Sequence, residues 1–310
     1  MRSGSNRARV GLLASFTALA AFASMGSATA ATSLNGNWAP FTRCPVDAPA
    51  MLAADGATDT AVCVSSHSAS GSIKLGNTVV PVGASDLQVG VVTHPGGGAT
   101  VVSPPGGALV ADSAQIPGGL LGLMCPSDIP VITGICNQLT DNTLNRVTAT
   151  IESVNNPSDF QLLAGTTTGK PIITLPVRIH LENPFLGNSC YIGSASDPIL
   201  LRPQNLTRPS VGTQQFAGDG STDATGPMGR ISLVGANQTD TTYAVPGASG
   251  CGLGLLNWAV NLKTGLPSAS GNNNVTLNNA QTYVATINNP GSVAPDAGKL
   301  LSQYWHSAAQ

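Results

Sequence analysis

Apolar and polar residues alternate along most of this chain, in short segments separated by glycine and proline, and a period of two marks half-buried strands. Residues 146–154 (RVTATIESV) are the clearest case: Val147, Ala149 and Ile151 share one face, and Thr148, Thr150 and Glu152 the other. Residues 172–181 (IITLPVRIHL) form the strongest strand. Pro176 inside it points to an edge position or a bulge, because proline cannot donate to a ladder. Residues 72–82 (SIKLGNTVVPV) and 86–93 read as a hairpin-like pair around Gly83, and 199–202, 230–235, 241–245 and 275–287 complete the predicted strands. Helix signals are sparse in a chain with 36 Gly and 22 Pro, and only 253–262 and 296–304 read as helical.

Two stretches break the pattern, residues 94–107 (HPGGGATVVSPPGG) and 113–122, both rich in Gly and Pro. Strand signals then arrive at regular spacing after about residue 144. The expected fold is therefore mainly β, with sandwich-like antiparallel sheets, long Gly/Pro-rich loops and little helix. A loop-rich N-terminal β region over 31–140 would precede a β-sandwich-like region over 141–310, or the two would be one continuous domain. Two strands end alike, at Asn155-Asn156-Pro157 and Asn288-Asn289-Pro290, which reads as two similar strand-ending turns.

The first thirty residues stand apart. Arg2, Arg7 and Arg9 precede an apolar run over 10–25, followed by the small residues Ala28-Thr29-Ala30. That is the pattern of a secretory signal peptide over 1–30, removed to leave a chain starting at Ala31 outside the cytoplasm. The whole sequence has 13 Lys and Arg against 15 Asp and Glu, so losing those three arginines leaves a formal charge of −5. No basic cluster survives, which argues against nucleic acid as a partner. Charged residues are only 9% of the chain, against roughly 25% in ordinary soluble domains. Such a surface repels its own copies weakly and tends to associate or adsorb. Beyond residue 30 no apolar run approaches the ~18 residues of a membrane span, no cysteine sits where it would carry a lipid, and no sorting motif closes the chain. The expected location is extracellular, soluble or non-covalently associated with a cell wall.

Six cysteines lie beyond the signal segment and allow 15 pairings. Sequence neighbours within one region suggest three disulfides, Cys44–Cys63, Cys125–Cys136 and Cys190–Cys251, each stabilising by roughly 3 kcal/mol where strain is small. There is no C-x-x-C and no Cys/His group at zinc-ligand spacing.

Catalytic motifs are missing where they would be sought. Gly247-Ala248-Ser249-Gly250-Cys251 puts Cys where a nucleophile elbow needs Gly, no H-E-x-x-H occurs, and two Glu and thirteen Asp offer no obvious glycosidase pair. The residual catalytic candidates are His180 and Glu182, two apart on one strand face, with Asp197 nearby in sequence. Asp219, Ser221 and Asp223 alternate as oxygen ligands do in Ca²⁺ loops, but Ala224 replaces the expected Gly and no Glu closes the loop. An Asx-stabilised turn is the better reading, and no metal or cofactor is expected. Trp258 sits in an apolar run and reads as core. Leu120, Leu121, Leu123 and Met124, set among glycines, are core under a loop if buried and an adhesive patch if exposed.

Residues 175–198 (LPVRIHLENPFLGNSCYIGSASDP), with the later Val245-Pro246-Gly247-Ala248-Ser249-Gly250-Cys251-Gly252, resemble uncharacterised secreted proteins of high-GC Gram-positive (actinobacterial) bacteria. The resemblance covers mainly the C-terminal half and implies that Cys190 and Cys251 belong to one framework. It carries no activity or substrate. The expected role is a non-enzymatic surface, matrix or binding protein of the cell exterior, an envelope component or self-associating. The alternatives are a secreted hydrolase without a linear motif and a lipid or small-molecule carrier with a pocket between sheets.

Overall fold

The computed structural model describes residues 33–124 and 142–310. Its strands, in chain order, are β1 (Thr60–Ser68), β2 (Ser70–Leu75), β3 (Thr78–Val82), β4 (Ser85–Thr93), β5 (Ala99–Val102), β6 (Leu109–Ala111), β7 (Ala114–Gln115) and β8 (Thr148–Ser153). They continue as β9 (Leu175–Glu182), β10 (Tyr191–Ile192), β11 (Ile199–Leu201), β12 (Gln204–Asn205), β13 (Ser210–Phe216), β14 (Met228–Asp240), β15 (Ala248–Ser249) and β16 (Asn274–Ile287). They form two antiparallel sheets. The larger runs β12-β14-β16-β1-β4-β5, with β13 beside β14, the β2–β3 hairpin on β16 and β6 on β4. The smaller runs β15-β10-β9-β8-β7, with β11 beside β9.

β1 explains why the two halves of the sequence are not separate. It pairs with β4 on one side and with β16 on the other, Val64 lying opposite both Val89 and Val284. A strand covered on both faces loses its alternation, and residues 61–65 (AVCVS) are all buried. That is why its pattern gave no strand signal. By their contacts the described residues from 33 onward fall into one compact unit.

Three layers result. Val62, Val64, Val89 and Val91 face the smaller sheet, which returns Leu175, Val177, Ile179 and Leu181 from β9. On the opposite face, Ala61, Cys63, Val92 and Ala285 meet a layer built from the two ends of the chain. There the 3-10 turn Gly36–Phe41 packs with the C-terminal helix Ala297–Ser307. Trp38 is fully buried, edge-on to Phe41 and Phe216, and its indole N–H donates to the Gly218 carbonyl at 2.8 Å. Trp305 donates to the Phe41 carbonyl at 2.8 Å, and the Cys44–Cys63 disulfide ties this layer to β1.

Several expectations change in detail. The hairpin turns at Gly76 and Asn77, where Gly76 takes φ +57°, so residues 72–82 pair within themselves and 85–93 pair with β1. Pro176 lies in an interior strand, not at an edge. Val154 N–H donates to its carbonyl just past the last β8–β9 pair, Ser153 opposite Val177, and the return bond is the one proline cannot make. Residues 241–245 form no strand, because Asp240 Oδ1 accepts from the Thr242 N–H and hydroxyl, both at 2.7 Å, and turns the chain. Two of the three expected disulfides, Cys44–Cys63 and Cys190–Cys251, are formed. Cys125–Cys136 lies outside the described residues.

The end layer yields two expected outcomes. Trp38→Ala should lower unfolding stability by about 3–5 kcal/mol, read from the urea midpoint. The second concerns Asp47, which accepts from the Ser302 hydroxyl at 2.6 Å and pairs with His306 at 2.9 Å. The Ser302 hydrogen bond, helped by His306 and opposed by partial desolvation, holds its carboxyl below the ordinary value of 3.8. A depressed carboxyl contributes stability above its unfolded pKa and loses it as pH falls through the folded one. Asp47→Asn should therefore be less stable than the parent at about pH 6 and nearly equal to it at about pH 2; a gap that persists in acid would count against the assignment.

Candidate docking site

The residues singled out for catalysis do not converge. His180 and Glu182 share the outer face of β9, with His180 Nδ1 3.9 Å from Glu182 Oε1. Cross-strand pairing sets Glu152 of β8 opposite Arg178, and its carboxylate reaches both Arg178 at 2.8 Å and His180 at 3.5 Å. Tyr191 of β10 stacks on His180, centroids 4.5 Å apart, and lies 4.1 Å from the Arg178 guanidinium carbon. His180 Nε2 donates to the Asn188 carbonyl at 3.1 Å. The sequence pattern held this ladder in its alternating outer positions, but not which strands were neighbours. Asp197 is elsewhere, in the turn after β10, where its N–H donates to Ser194 Oγ at 3.0 Å. Among the described residues no hydrogen bond or ion pair joins its carboxylate to His180 or Glu182. The cluster is a polar ladder on a pleated surface, satisfied within itself.

The other candidates fall similarly. Asp219 accepts from the Ser221 N–H and hydroxyl, Asp223 from those of Thr225, so each closes its own Asx turn. The Ser221 hydroxyl is the chief cause of the lowered Asp219 pKa. No group of three or more metal-binding side chains occurs among the described residues. Leu120 and Leu123 are buried in the core and Leu121 is half-buried, so they are not an adhesive patch. They belong to a short helix, Gly119–Met124, not a loop; the Met124 side chain is outside the described residues. Between the sheets lies an apolar cavity of about 70 Å³ lined by Leu87, Leu109, Ile151, Leu175, Leu201 and Val275 among others. Ligand pockets run to roughly 300 Å³ or more, so this space is too small to support the carrier reading.

The unexpected feature is residues 251–264. A surface helix ordinarily turns its apolar face inward. Helix Asn257–Thr264 does so with Ala259 and Val260, but its outer face reverses the rule. Asn257 and Asn261, one turn apart, face the protein: Asn257 Oδ1 accepts from Cys251 N–H at 2.8 Å and Asn261 Oδ1 from Ala248 N–H at 2.6 Å. Trp258 and Leu262, also one turn apart, face outward. Leu253, Leu255, Trp258 and Leu262 are 95%, 76%, 40% and 75% exposed. Trp258 is thus not the core residue its apolar neighbours suggest.

The loop that precedes the helix is held rigidly. Cys251 is bonded to Cys190, and Gly252 N–H donates to the Leu186 carbonyl at 2.7 Å. Gly250 takes φ +73°, and a Cβ there would collide with the Ser189 carbonyl. Leu253 itself takes φ +59°, a left-handed conformation that disfavours any side chain. Nothing about its own packing explains a leucine there, since its side chain stands in solvent. Phe185, next to the Leu186 carbonyl that holds Gly252, is 36% exposed. Residues 241–295 contain no Asp or Glu, and Lys263, exposed on the helix, is their only charged side chain. The sequence signal was available in the i, i+4 pairs Asn257/Asn261 and Trp258/Leu262, but nothing local says which pair faces in.

No protein-family model matches this chain, and neither a curated protein nor a solved structure matches it.

The two faces of the helix should separate by mutation. Asn261→Ala removes a tether to Ala248 and leaves that N–H unpaired, which should cost about 1–3 kcal/mol. Leu262→Ser, on the exposed face, should stay within about 0.5 kcal/mol of the parent. Thermal unfolding of the two variants measures both.

Proposed function

We propose that this chain is an exported, non-enzymatic protein of the bacterial cell exterior, which docks on an apolar surface of the envelope through Leu253, Leu255, Trp258 and Leu262. The observation that carries the reading is the reversed helix, whose asparagines hold the scaffold while its large apolar side chains stand in water. Solvent-exposed apolar clusters of this kind mark interaction sites. Export is supported by the signal-peptide pattern over residues 1–30, and two disulfides are compatible with an oxidising compartment. The resemblance of residues 175–198 to actinobacterial secreted proteins supports a Gram-positive envelope as the setting. The low charge of the remaining surface lets the molecule approach such a boundary without strong repulsion.

The test is to express the full chain in a high-GC Gram-positive host and to fractionate medium and envelope. The parent should be processed to start at Ala31 and partition to the envelope. A variant with Leu253, Leu255 and Leu262 all changed to Ser should move to the medium by tenfold or more, because burying each leucine is worth roughly 1.5–3 kcal/mol. Leu253→Gly relieves the left-handed strain, so it should fold at least as well as the parent yet bind less. An unprocessed chain, or the same distribution for parent and triple variant, would overturn the reading.

A further inference from the structure

We infer that the surface met by this apolar end is a lipid bilayer bearing anionic headgroups, entered to the depth of the headgroup–acyl boundary. The inference rests on the docking reading above and specifies its partner.

Shape is the first argument. Leu253 projects almost wholly into solvent from between two glycines, Gly252 and Gly254, with Leu255 and Leu262 exposed beside it. These side chains protrude: Leu253, Leu255 and Leu262 are each three-quarters or more exposed. A rigid partner would need a matching set of pockets, whereas acyl chains close around such protrusions at little cost. Area is the second. The exposed fractions of Leu253, Leu255, Trp258 and Leu262 amount to an apolar surface on the order of 500 Å². A stable specific dimer buries about 800 Å² on each partner, so a second copy of this chain is poorly served by the patch alone.

Charge is the third. The chain carries more acid than base, yet residues 241–295 hold no carboxylate, and their one charge is the exposed ammonium of Lys263 beside Leu262. The nearest acidic residue along the adjoining turn is Glu182, whose carboxylate already accepts from the Thr148 hydroxyl at 3.3 Å. Within residues 251–264 Lys263 is the one charged side chain, and a cation flanking an apolar segment complements an anionic headgroup layer. The fourth is depth. Trp258 is only partly exposed, and an indole with an apolar body and a polar edge favours the membrane–water boundary. Asn257 and Asn261 turn their Oδ1 atoms to backbone N–H groups of the scaffold, so the outer face offers the lipid Trp258 and Leu262. The helix is too short to span, and no described helix is long and apolar enough to cross a membrane. It would lie in the boundary plane, as interfacial segments do.

Vesicle binding by the oxidised chain from Ala31 onward tests this, with vesicles of phosphatidylcholine alone and of phosphatidylcholine mixed equally with phosphatidylglycerol. Sedimentation should show binding to both, about fivefold tighter with phosphatidylglycerol, as expected for one lysine near an anionic surface. Tryptophan emission should shift to the blue. Trp38 and Trp305 are buried already, so the shift should vanish in Trp258→Phe while sedimentation persists. Leu255→Ser with Leu262→Ser should abolish sedimentation, and Lys263→Gln should remove only the preference for phosphatidylglycerol. Circular dichroism of each variant guards against misfolding. Failure to bind either vesicle, or binding indifferent to the leucines, overturns the bilayer assignment. Equal binding to both vesicles overturns its anionic part. If vesicles fail while leucine-dependent envelope partition persists, the docking reading stands and its partner is not lipid. If partition fails as well, both readings fall.

Discussion

The pairing of β1 with β16 is the constraint on which the rest of the molecule depends. It joins Cys63 to Ala285 and Val64 to Val284 across more than two hundred residues of chain, and it places β1 at the centre of the larger sheet. Both faces of that strand are then buried, one beneath the smaller sheet and the other beneath the two chain ends. Only small and β-branched residues fit there, and Ala61, Val62, Cys63 and Val64 supply them. Every other layer is positioned by this sheet. The smaller sheet packs against its valines, and the turn at Trp38 and the helix at Trp305 cover its back.

The same architecture explains how an exposed apolar end is held without collapsing onto the core. The inner face of helix Asn257–Thr264 is tethered by side-chain amides to Ala248 and Cys251, and the preceding loop by the Cys190–Cys251 disulfide. Those bonds are directional, so the helix cannot roll to bury Trp258 and Leu262 without leaving buried backbone donors unpaired. A leucine in a left-handed conformation is a further local cost. Costs of this sort, with no packing return at the same place, cluster where a surface acts on something outside the molecule.

Much of the fold was legible where one face of a strand is dry and the other wet. β8, β9 and β16 follow the alternation of residues 146–154, 172–181 and 275–287 within a few residues. The C-terminal helix follows the segment 296–304. The pattern failed for β1, whose two-sided burial erases alternation, and for β13, whose residues 210–215 are all exposed. It failed at residues 241–245 because a single Asx turn at Asp240 outweighs a favourable strand composition. The neighbour pairing of Cys44 with Cys63 and of Cys190 with Cys251 held, since each pair joins segments that adjoin in the same part of the fold.

The site was less legible than the fold. Arg178, His180 and Glu182 could be placed on one face from spacing alone, but Glu152 and Tyr191 joined them through strand order, which no local pattern encodes. By itself the sequence determined the strand-rich character, the low charge and the segments able to form elements, because these depend on residue type and short-range period. Tertiary structure alone decided which strands are neighbours and which face of a helix meets the core. Trp258 and Leu262 point outward only because Ala248 and Cys251 present their N–H groups to Asn261 and Asn257, and that meeting depends on the packing of segments distant in sequence.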